Sequence, residues 1–513
     1  MCGVMGVYGT PFSSQEIFQG LQLLQHRGQD AAGILSYNFQ SQNFSLYKDV
    51  GLVAKVFNLD NISGLTGELS IGHTRYATVG PKYPTDAKRD IQPMMMNYPF
   101  GVGMAHNGNL VNYYELKSEL KTTYNRHLFT QNDLEALLNI LSQNLLNISQ
   151  QKKENSNQPQ SSLKLKFEEF QEAVQNLFTQ VQGGFSVVGV LADHGLFAFR
   201  DPHGIRPLLI GRRKLTEQEK NLHPQHFEYS YCLASETNVF QFLDYEIIGD
   251  LAPGEIVLIS PDGEIHSSTQ YSIKNKIPQK SCMFEWIYFS NPESTLEKVN
   301  VYQSRLNFGR KLSSQIQKAI TEKRISPDMV VPIPDTSRVA AISLSENAHI
   351  PYREVLIKNR YVQRSFILNN QENRKKAVEL KLTAISSEIK GKNVLLVDDS
   401  IVRGTTSQKI IQLVKDAGAR QVYLASTCPP IRYPCFYGID FPDPTELIAY
   451  QKTTDEIAKV LGADALFYLS ESELEQSLET QNICKACLNG DYPVKCNTDK
   501  FKEMRHFHRD EKE

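Results

Sequence analysis

The sequence predicts two domains in series, an α+β half followed by an α/β half built on a parallel sheet, and three features carry that expectation. The chain has 513 residues, more than one usual core accommodates. Its first half reads as short apolar strands separated by polar clusters and hairpin turns, as in 183–190 followed by 196–208. After about Cys282, short Val/Ile/Leu strands alternate with amphipathic helices, the pattern of a parallel sheet flanked by helices.

Composition narrows the function classes. With 41% hydrophobic and 22% charged residues the chain is globular, and 55 Lys+Arg against 57 Asp+Glu leave a formal charge of −2. No general basic character favours nucleic acid or an anionic membrane surface. No apolar run approaches the ~20 residues of a membrane span, and the first ten residues lack a basic region followed by a long apolar core. The expectation is a cytoplasmic protein with no membrane partner. Eight cysteines in a chain of this length are too few for a disulfide framework, which directs attention to reactive or metal-bound roles.

From the N-terminus, Cys2 would become the first residue once Met1 is removed, placing a thiol and a free amine on one residue. An α-amine with pKa ~7.7–8.0 lies near a thiol's ~8.5 and can serve as general base for its own nucleophile. Three polar clusters follow beside short strands, at 26–34, 72–78 and 105–109. Their His26, His73 and His106 stand in different segments without ligand spacing and read as structural. Asp133 opens a helix running on through Leu137, Leu138 and Leu141, where it fits a helix cap as well as a ligand contact. Residues 142–166 include a polar Asn/Gln/Ser-rich insertion with too little apolar content to fold, and 212–225 reads as a second extension. Cys232 lies in an apolar strand and reads as core. A last hairpin at 253–259 and a polar linker at 272–280 close this half.

In the second half, the strand at 330–333 ends in the polar turn Asp335-Thr336-Ser337-Arg338, at the carboxyl edge where ligands bind open parallel sheets. Thr336 suits a helix cap or a ligand contact there. Lys358, Arg360 and Tyr361 lead into a polar stretch, 363–376, that fits either a solvated basic loop or a lid over an anion. The stretch from Asn393 to Ser407 joins a buried strand, the adjacent carboxylates Asp398 and Asp399, and a hydroxyl-rich turn, Arg403-Gly404-Thr405-Thr406-Ser407. Adjacent carboxylates can accept hydrogen bonds from vicinal ribose hydroxyls or hold the shell of a Mg²⁺ ion. The helix expected over 407–415, ahead of Gly418, would point its first amides at a phosphate.

Cys282, Cys435, Cys484 and Cys487 come from three segments, and only the last pair has local metal-ligand spacing. By itself C-x2-C is compatible with zinc, a redox pair or coincidence.

The string VDDSIVRGTTS resembles the phosphoribosyl pyrophosphate (PRPP) loop of type I phosphoribosyltransferases, in the form found in glutamine PRPP amidotransferases. Cys2 with the three N-terminal clusters resembles the N-terminal-nucleophile glutaminase domain of that family. The resemblance implies a four-layer αββα glutaminase domain over 2–270, a type I phosphoribosyltransferase domain over 271–470 and a cysteine-bearing C-terminal segment over 471–513. It implies Cys2 as nucleophile, Asn107 with the Gly108 amide as oxyanion hole, Arg75 on the glutamine α-carboxylate and Asp133 on its α-ammonium. Lys358, Arg360 and Tyr361 would meet pyrophosphate under the lid, although Gln363 and Ser365 stand where the family has Gly and Thr. Asp398, Asp399 and Thr336 would serve ribose and Mg²⁺, and Arg403 to Ser407 the 5-phosphate. The contexts of the four cysteines resemble the branch carrying a [4Fe-4S] cluster. Amidophosphoribosyltransferase activity through an internal ammonia channel, purine nucleotide inhibition and a homotetramer follow as expectations. A different glutaminase-linked synthase would lack VDDSIVRGTTS, and a non-catalytic PRPP-binding regulator has no use for the set Cys2, Arg75 and Asn107.

Overall fold

A computed structural model of the chain describes residues 1–76, 88–155, 164–222, 228–359, 382–441 and 443–494. Arg360, Tyr361, the polar stretch 363–376 and Cys496, with 156–163 and 223–225 of the two extensions, lie outside the described residues; against expectation, the first extension begins inside the helix Asp133–Asn155, and the second holds the end of the strand Leu209–Lys214 and the helix Glu217–Leu222.

The first half contains two antiparallel sheets. One has the order β11-β9-β10-β1-β4-β2-β3, from Glu246–Asp250 (β11), Leu209–Lys214 (β9), Tyr229–Ala234 (β10), Gly3–Tyr8 (β1), Leu69–Arg75 (β4), Ala31–Asn38 (β2) and Asn43–Val50 (β3). The other runs β13-β12-β8-β7-β6-β5, from Ile265–Ser268 (β13), Ile256–Ile259 (β12), Gly195–Arg200 (β8), Gly183–Leu191 (β7), Val102–Leu110 (β6) and Met94–Met96 (β5). Period-two alternation assigns each strand two faces. Val4 and Tyr8 of β1 join Ala105, Val188 and Ala198 of the other sheet in one core, while Met5 and Val7 pack with Ile17 and Leu21 of the helix Ser13–Leu23. On the far side, Met104 and Val187 pack against the helices Asp133–Asn155 and Phe167–Gln180 through Leu137, Leu141, Phe170 and Leu177. Helix, sheet, sheet and helix therefore stack as four layers.

The second half is built on a four-stranded parallel sheet ordered Met329–Pro332, Asn393–Asp398, Gln421–Ser426 and Ala465–Tyr468. Both faces are apolar because both are covered. Leu395 and Val397 pack toward Phe308, Leu312 and Leu344 of the helices Val301–Thr321 and Arg338–Ala348, whereas Val394 and Leu396 pack toward Ile410, Ile411 and Val414. The core that covers the first sheet runs without a break into this half, from Met5 and Ile17 to Trp286, Phe308 and Ile483. The expected linker begins as a short helix, Gln270–Lys274, whose Ser272 hydroxyl donates to the Pro202 carbonyl at 3.1 Å. No helix among the described residues is long and apolar enough to cross a membrane.

Candidate active sites

Cys2 immediately precedes β1, in the centre of the first sheet, where the end of the paired strand β4 brings Arg75 and Tyr76 beside it. The Cys2 N–H donates to Asn107 Oδ1 at 3.2 Å, and its thiol lies 3.9 Å from the Tyr76 carbonyl oxygen. Asn107 is fully buried, and its Nδ2 finds no hydrogen-bond partner among the described residues. A buried amide donor without an acceptor is costly unless a ligand supplies one, so this N–H is available to an anionic oxygen beside Cys2. Gly108 follows with φ +148, and a Cβ there would lie 2.1 Å from the Gly184 carbonyl oxygen, so only glycine fits. The terminal amine of Met1 is buried and pushed down to about 5 by that burial.

Arg75 lies 3.7 Å from Asp90, a buried carboxylate that the motif reading missed. Asp133 begins its helix, with Asn132 Oδ1 accepting the Leu134 N–H at 3.0 Å in the capping role. Asp133 instead accepts the Leu110 N–H at 2.9 Å and lies 3.3 Å from His106 Nε2. Burial works to raise its carboxyl, but the neighbouring His106 ring and the Leu110 N–H outweigh that and hold it below the usual range. His26 pairs with Glu236 at 2.8 Å, and burial holds the His73 ring neutral. His73 and His106 are near enough to act on each other, whereas His26 is engaged with Glu236.

At the carboxyl edge of the parallel sheet, Asp398 is the last residue of its strand and Asp399 the first of the turn. The Asp399 N–H donates to Asp398 Oδ1 at 2.9 Å, and the Ser400 hydroxyl to Asp399 Oδ1 at 2.8 Å. Burial and then the Asp399 charge push Asp398 well above the usual carboxylate range, and burial pushes Asp399 up to about 6. Two desolvated carboxyls side by side await hydroxyl donors or a cation. The helix Thr405–Asp416 starts two residues earlier than expected, because Gly404 takes φ +79 at the N-cap and no side chain caps the amides that follow. Its first turn is therefore open to an anion. Arg403, exposed, pairs with Glu446 at 3.0 Å. Lys358 pairs with Asp335 at 2.6 Å, and Arg338 reaches the other oxygen of the same carboxylate at 2.7 Å. Thr336 lies in the turn that Ser337, not Thr336, joins to the helix Arg338–Ala348.

The four cysteines are brought together. A two-residue parallel bridge sets Cys282 opposite Cys484, and both the Arg432 and Tyr433 N–H groups donate to the Cys487 carbonyl at 3.0 Å. Cys282, Cys435, Cys484 and Cys487 line one small pocket with Arg206, Tyr437 and Tyr492. Burial pushes the Cys282 thiol up to about 11 and raises Cys484 and Cys487 further, so these thiols stay protonated until a cation takes the proton's place. Among the described residues, no three His, Cys, Asp or Glu side chains converge as ligands of a single ion.

A buried ionic network, unseen in the sequence, ties these features together. Arg27 donates to Glu236 at 2.5 Å and to Glu285 at 2.6 Å, with 0–2% side-chain exposure throughout, so no member can be desolvated alone. Arg206 Nε donates to the Tyr437 carbonyl at 2.8 Å. Arg305 donates to the carbonyls of Trp286 and Ser290 at 3.0 and 2.8 Å and lends positive charge to Asp399.

The glutamine amidotransferase domain family matches residues 73–219, and the phosphoribosyl transferase domain family residues 300–435. Amidophosphoribosyltransferase of Haemophilus influenzae is 40% identical over 484 residues, covering 94% of this chain and 90% of the relative. That of Saccharomyces cerevisiae is 39% identical, again over 94% of this chain and 90% of the relative. Among solved structures, glutamine PRPP amidotransferase from B. subtilis complexed with ADP and GMP superposes with a TM-score of 0.79 at 33% identity, covering 97% of this chain and 98% of that one.

Proposed function

The chain belongs to the amidophosphoribosyltransferase family, enzymes of the first step of purine biosynthesis that join a glutaminase to a phosphoribosyltransferase, and from that premise we propose how its residues divide the reaction. Glutamine is hydrolysed at Cys2. Once Met1 is removed, the freed Cys2 amine takes the thiol proton, the thiolate attacks the side-chain amide carbon, and the oxyanion is held by Asn107 Nδ2 and the Gly108 N–H; its collapse breaks the C–N bond as the Cys2 ammonium returns the proton to the departing ammonia, and water then hydrolyses the thioester to glutamate and the free thiol. The single observation that carries this reading is the buried, unpartnered Asn107 Nδ2 on the residue whose Oδ1 holds the Cys2 nitrogen. Arg75, released from Asp90, receives the α-carboxylate, and Asp133 the α-ammonium. The Cys2→Ala protein tests the assignment, because it separates use of glutamine from use of ammonium.

Ammonia then passes through the shared core between the domains and displaces pyrophosphate from C1 of PRPP, giving 5-phosphoribosylamine. Asp398 and Asp399 orient the ribose hydroxyls, the open turn from Arg403 to Ser407 cradles the 5-phosphate, and Lys358, with Arg360 and Tyr361, takes the pyrophosphate. The desolvated carboxyl pair fits a Mg²⁺ shell, with Thr336 in the turn at the same sheet edge; bound there, the ion offsets the charge of the diphosphate. Purine nucleotides are inhibitors by analogy with the ADP- and GMP-bound relative. A homotetrameric, cytoplasmic enzyme completes the proposal.

The pocket of Cys282, Cys435, Cys484 and Cys487 fits a [4Fe-4S] cluster. Four buried thiols around one space supply the one sulfur per iron that such a cube requires. The group's contribution there is structural, cross-linking the C-terminal segment to both domains. Anaerobically purified protein is expected to hold about four irons and four sulfides per chain, and Cys435→Ser to lose them; about one zinc per chain instead would contradict the assignment.

A further inference from the structure

The end of β6 that carries the oxyanion-hole residues is held from two sides, and one of them belongs to the other domain. On the first side, Gly108 faces β7 so closely that a Cβ would meet the Gly184 carbonyl oxygen. On the second, the segment 435–438 lies against it. Asn109 Nδ2 donates to the Phe436 carbonyl at 2.9 Å, across 327 residues of sequence. Gly438, at φ +99, approaches so near that a methyl on it would lie 3.1 Å from both the carbonyl carbon and the oxygen of Gly108.

The segment doing this is itself fixed. Arg206, fully buried, donates to the Tyr437 carbonyl from both Nε and Nη2. The Tyr437 N–H in turn donates to Cys435 Sγ at 3.4 Å, and the Tyr437 hydroxyl donates to the Val494 carbonyl at 3.0 Å. Phe436 and Gly438 therefore present a rigid edge to the strand end, not a loose loop. An oxyanion hole stabilises the transition state only if its donors are held within about 0.5 Å of the position the oxygen will take. Gly108 has no side chain with which to secure its own peptide.

We propose that Asn109 and Gly438 are positioning residues that fix the Gly108 N–H for the tetrahedral intermediate, so that the glutaminase oxyanion hole is completed by the phosphoribosyltransferase domain. The proposal rests on the reading of Asn107 and Gly108 as that hole. Asn109 does not touch glutamine; with Gly438 it holds the Gly108 carbonyl side and Cα, so that the Gly108 N–H on the other side of that Cα is limited in its rotation, and Phe436 acts through Asn109. The bond demands a donor at position 109, a demand that shape alone does not satisfy.

The test uses the whole chain with Asn109→Ala, Asn109→Asp and Gly438→Ala, each assayed with glutamine and, separately, with ammonium as nitrogen source. Asn109→Asp keeps the size of the side chain but offers the Phe436 carbonyl a carboxylate instead of a donor. All three are expected to lower kcat with glutamine by roughly 10- to 100-fold, less than deletion of an oxyanion donor itself, with the glutamine KM changed by less than about threefold. Ammonium-dependent synthesis, which bypasses the hole, stays within about twofold of the parent, and iodoacetamide still alkylates Cys2 at the parent rate. A parent-like kcat with glutamine in Asn109→Asp would overturn the proposal. So would a parallel fall of both activities, which marks packing damage. If Asn107→Ala keeps the parent kcat with glutamine, the failure lies with the underlying assignment of the hole and not with Asn109.

Discussion

Cys2→Ala is expected to lose glutamine-dependent formation of 5-phosphoribosylamine by at least about 10⁴-fold while its ammonium-dependent rate stays within about twofold of the parent. The loss is large because the attack on the amide carbon is assigned to this one thiol. Cys2 immediately precedes the central strand of its sheet, its nitrogen is tied to Asn107 Oδ1 at 3.2 Å, and Asn107 Nδ2, without a partner among the described residues, lies on the same side chain. Without the thiol, the donors that stabilise the oxyanion have no tetrahedral carbon to serve. The retention is expected because the phosphoribosyl site shares no reacting atom with Cys2. Asp398 and Asp399 are held by the second sheet and by Arg305, on elements that the change does not touch. The check is a pair of initial rates with pyrophosphate as the common readout. A variant inactive with both nitrogen sources would show that the fold, and not the nucleophile, had been lost.

Asp399→Asn is expected to reverse that pattern and to raise stability at the same time. Each charged hydrogen bond to a ribose hydroxyl is worth about 1.5–3 kcal/mol, so losing two lowers kcat/KM for PRPP by roughly 10²–10⁴-fold with either nitrogen source. The effect on the unliganded protein runs the other way. Burial raises Asp398 well above its ordinary range and Asp399 to about 6, so the folded chain retains protons that the unfolded chain, with carboxyls at ~3.9, releases. The pair's favourable contribution is present below the unfolded pKa and is lost as pH rises through about 6, where Asp399 ionises in its buried site beside an Asp398 that keeps its proton. The amide of the variant removes that buried charge. Urea unfolding at pH 8 is expected to show the variant more stable than the parent, with the difference shrinking toward pH 5. A variant that binds PRPP like the parent would remove Asp399 from the site.

The two sites were legible to very different degrees. VDDSIVRGTTS could be read locally, because strand, turn and helix are consecutive, and the strand does end at Asp398. The helix start was missed by two residues because the left-handed N-cap at Gly404 shifts the first turn to Thr405. The cysteines could be named but not placed by spacing; what unites them is the register of Cys282 against Cys484, a pairing across 200 residues that no local pattern encodes. Arg206 was assigned to a hairpin, and only the fold reveals its guanidinium among the thiols. No local pattern singles out Glu285 and Arg27, yet they are a buried pair, because burial depends on what the other half of the chain covers. The roles of Asp90 and Asp335 were hidden for a similar reason: their partners, Arg75 and Lys358, stand 15 and 23 residues away with no helical or strand period joining them.

The central claim is that one chain couples two chemistries, and the most direct measurement follows glutamate and pyrophosphate together in anaerobically purified protein, with and without Mg-PRPP. Glutamate release stimulated by Mg-PRPP and matched one for one by pyrophosphate is the predicted result. Glutamate released at the same rate without PRPP, with no pyrophosphate formed in its presence, would contradict the claim and leave a glutaminase serving some other acceptor.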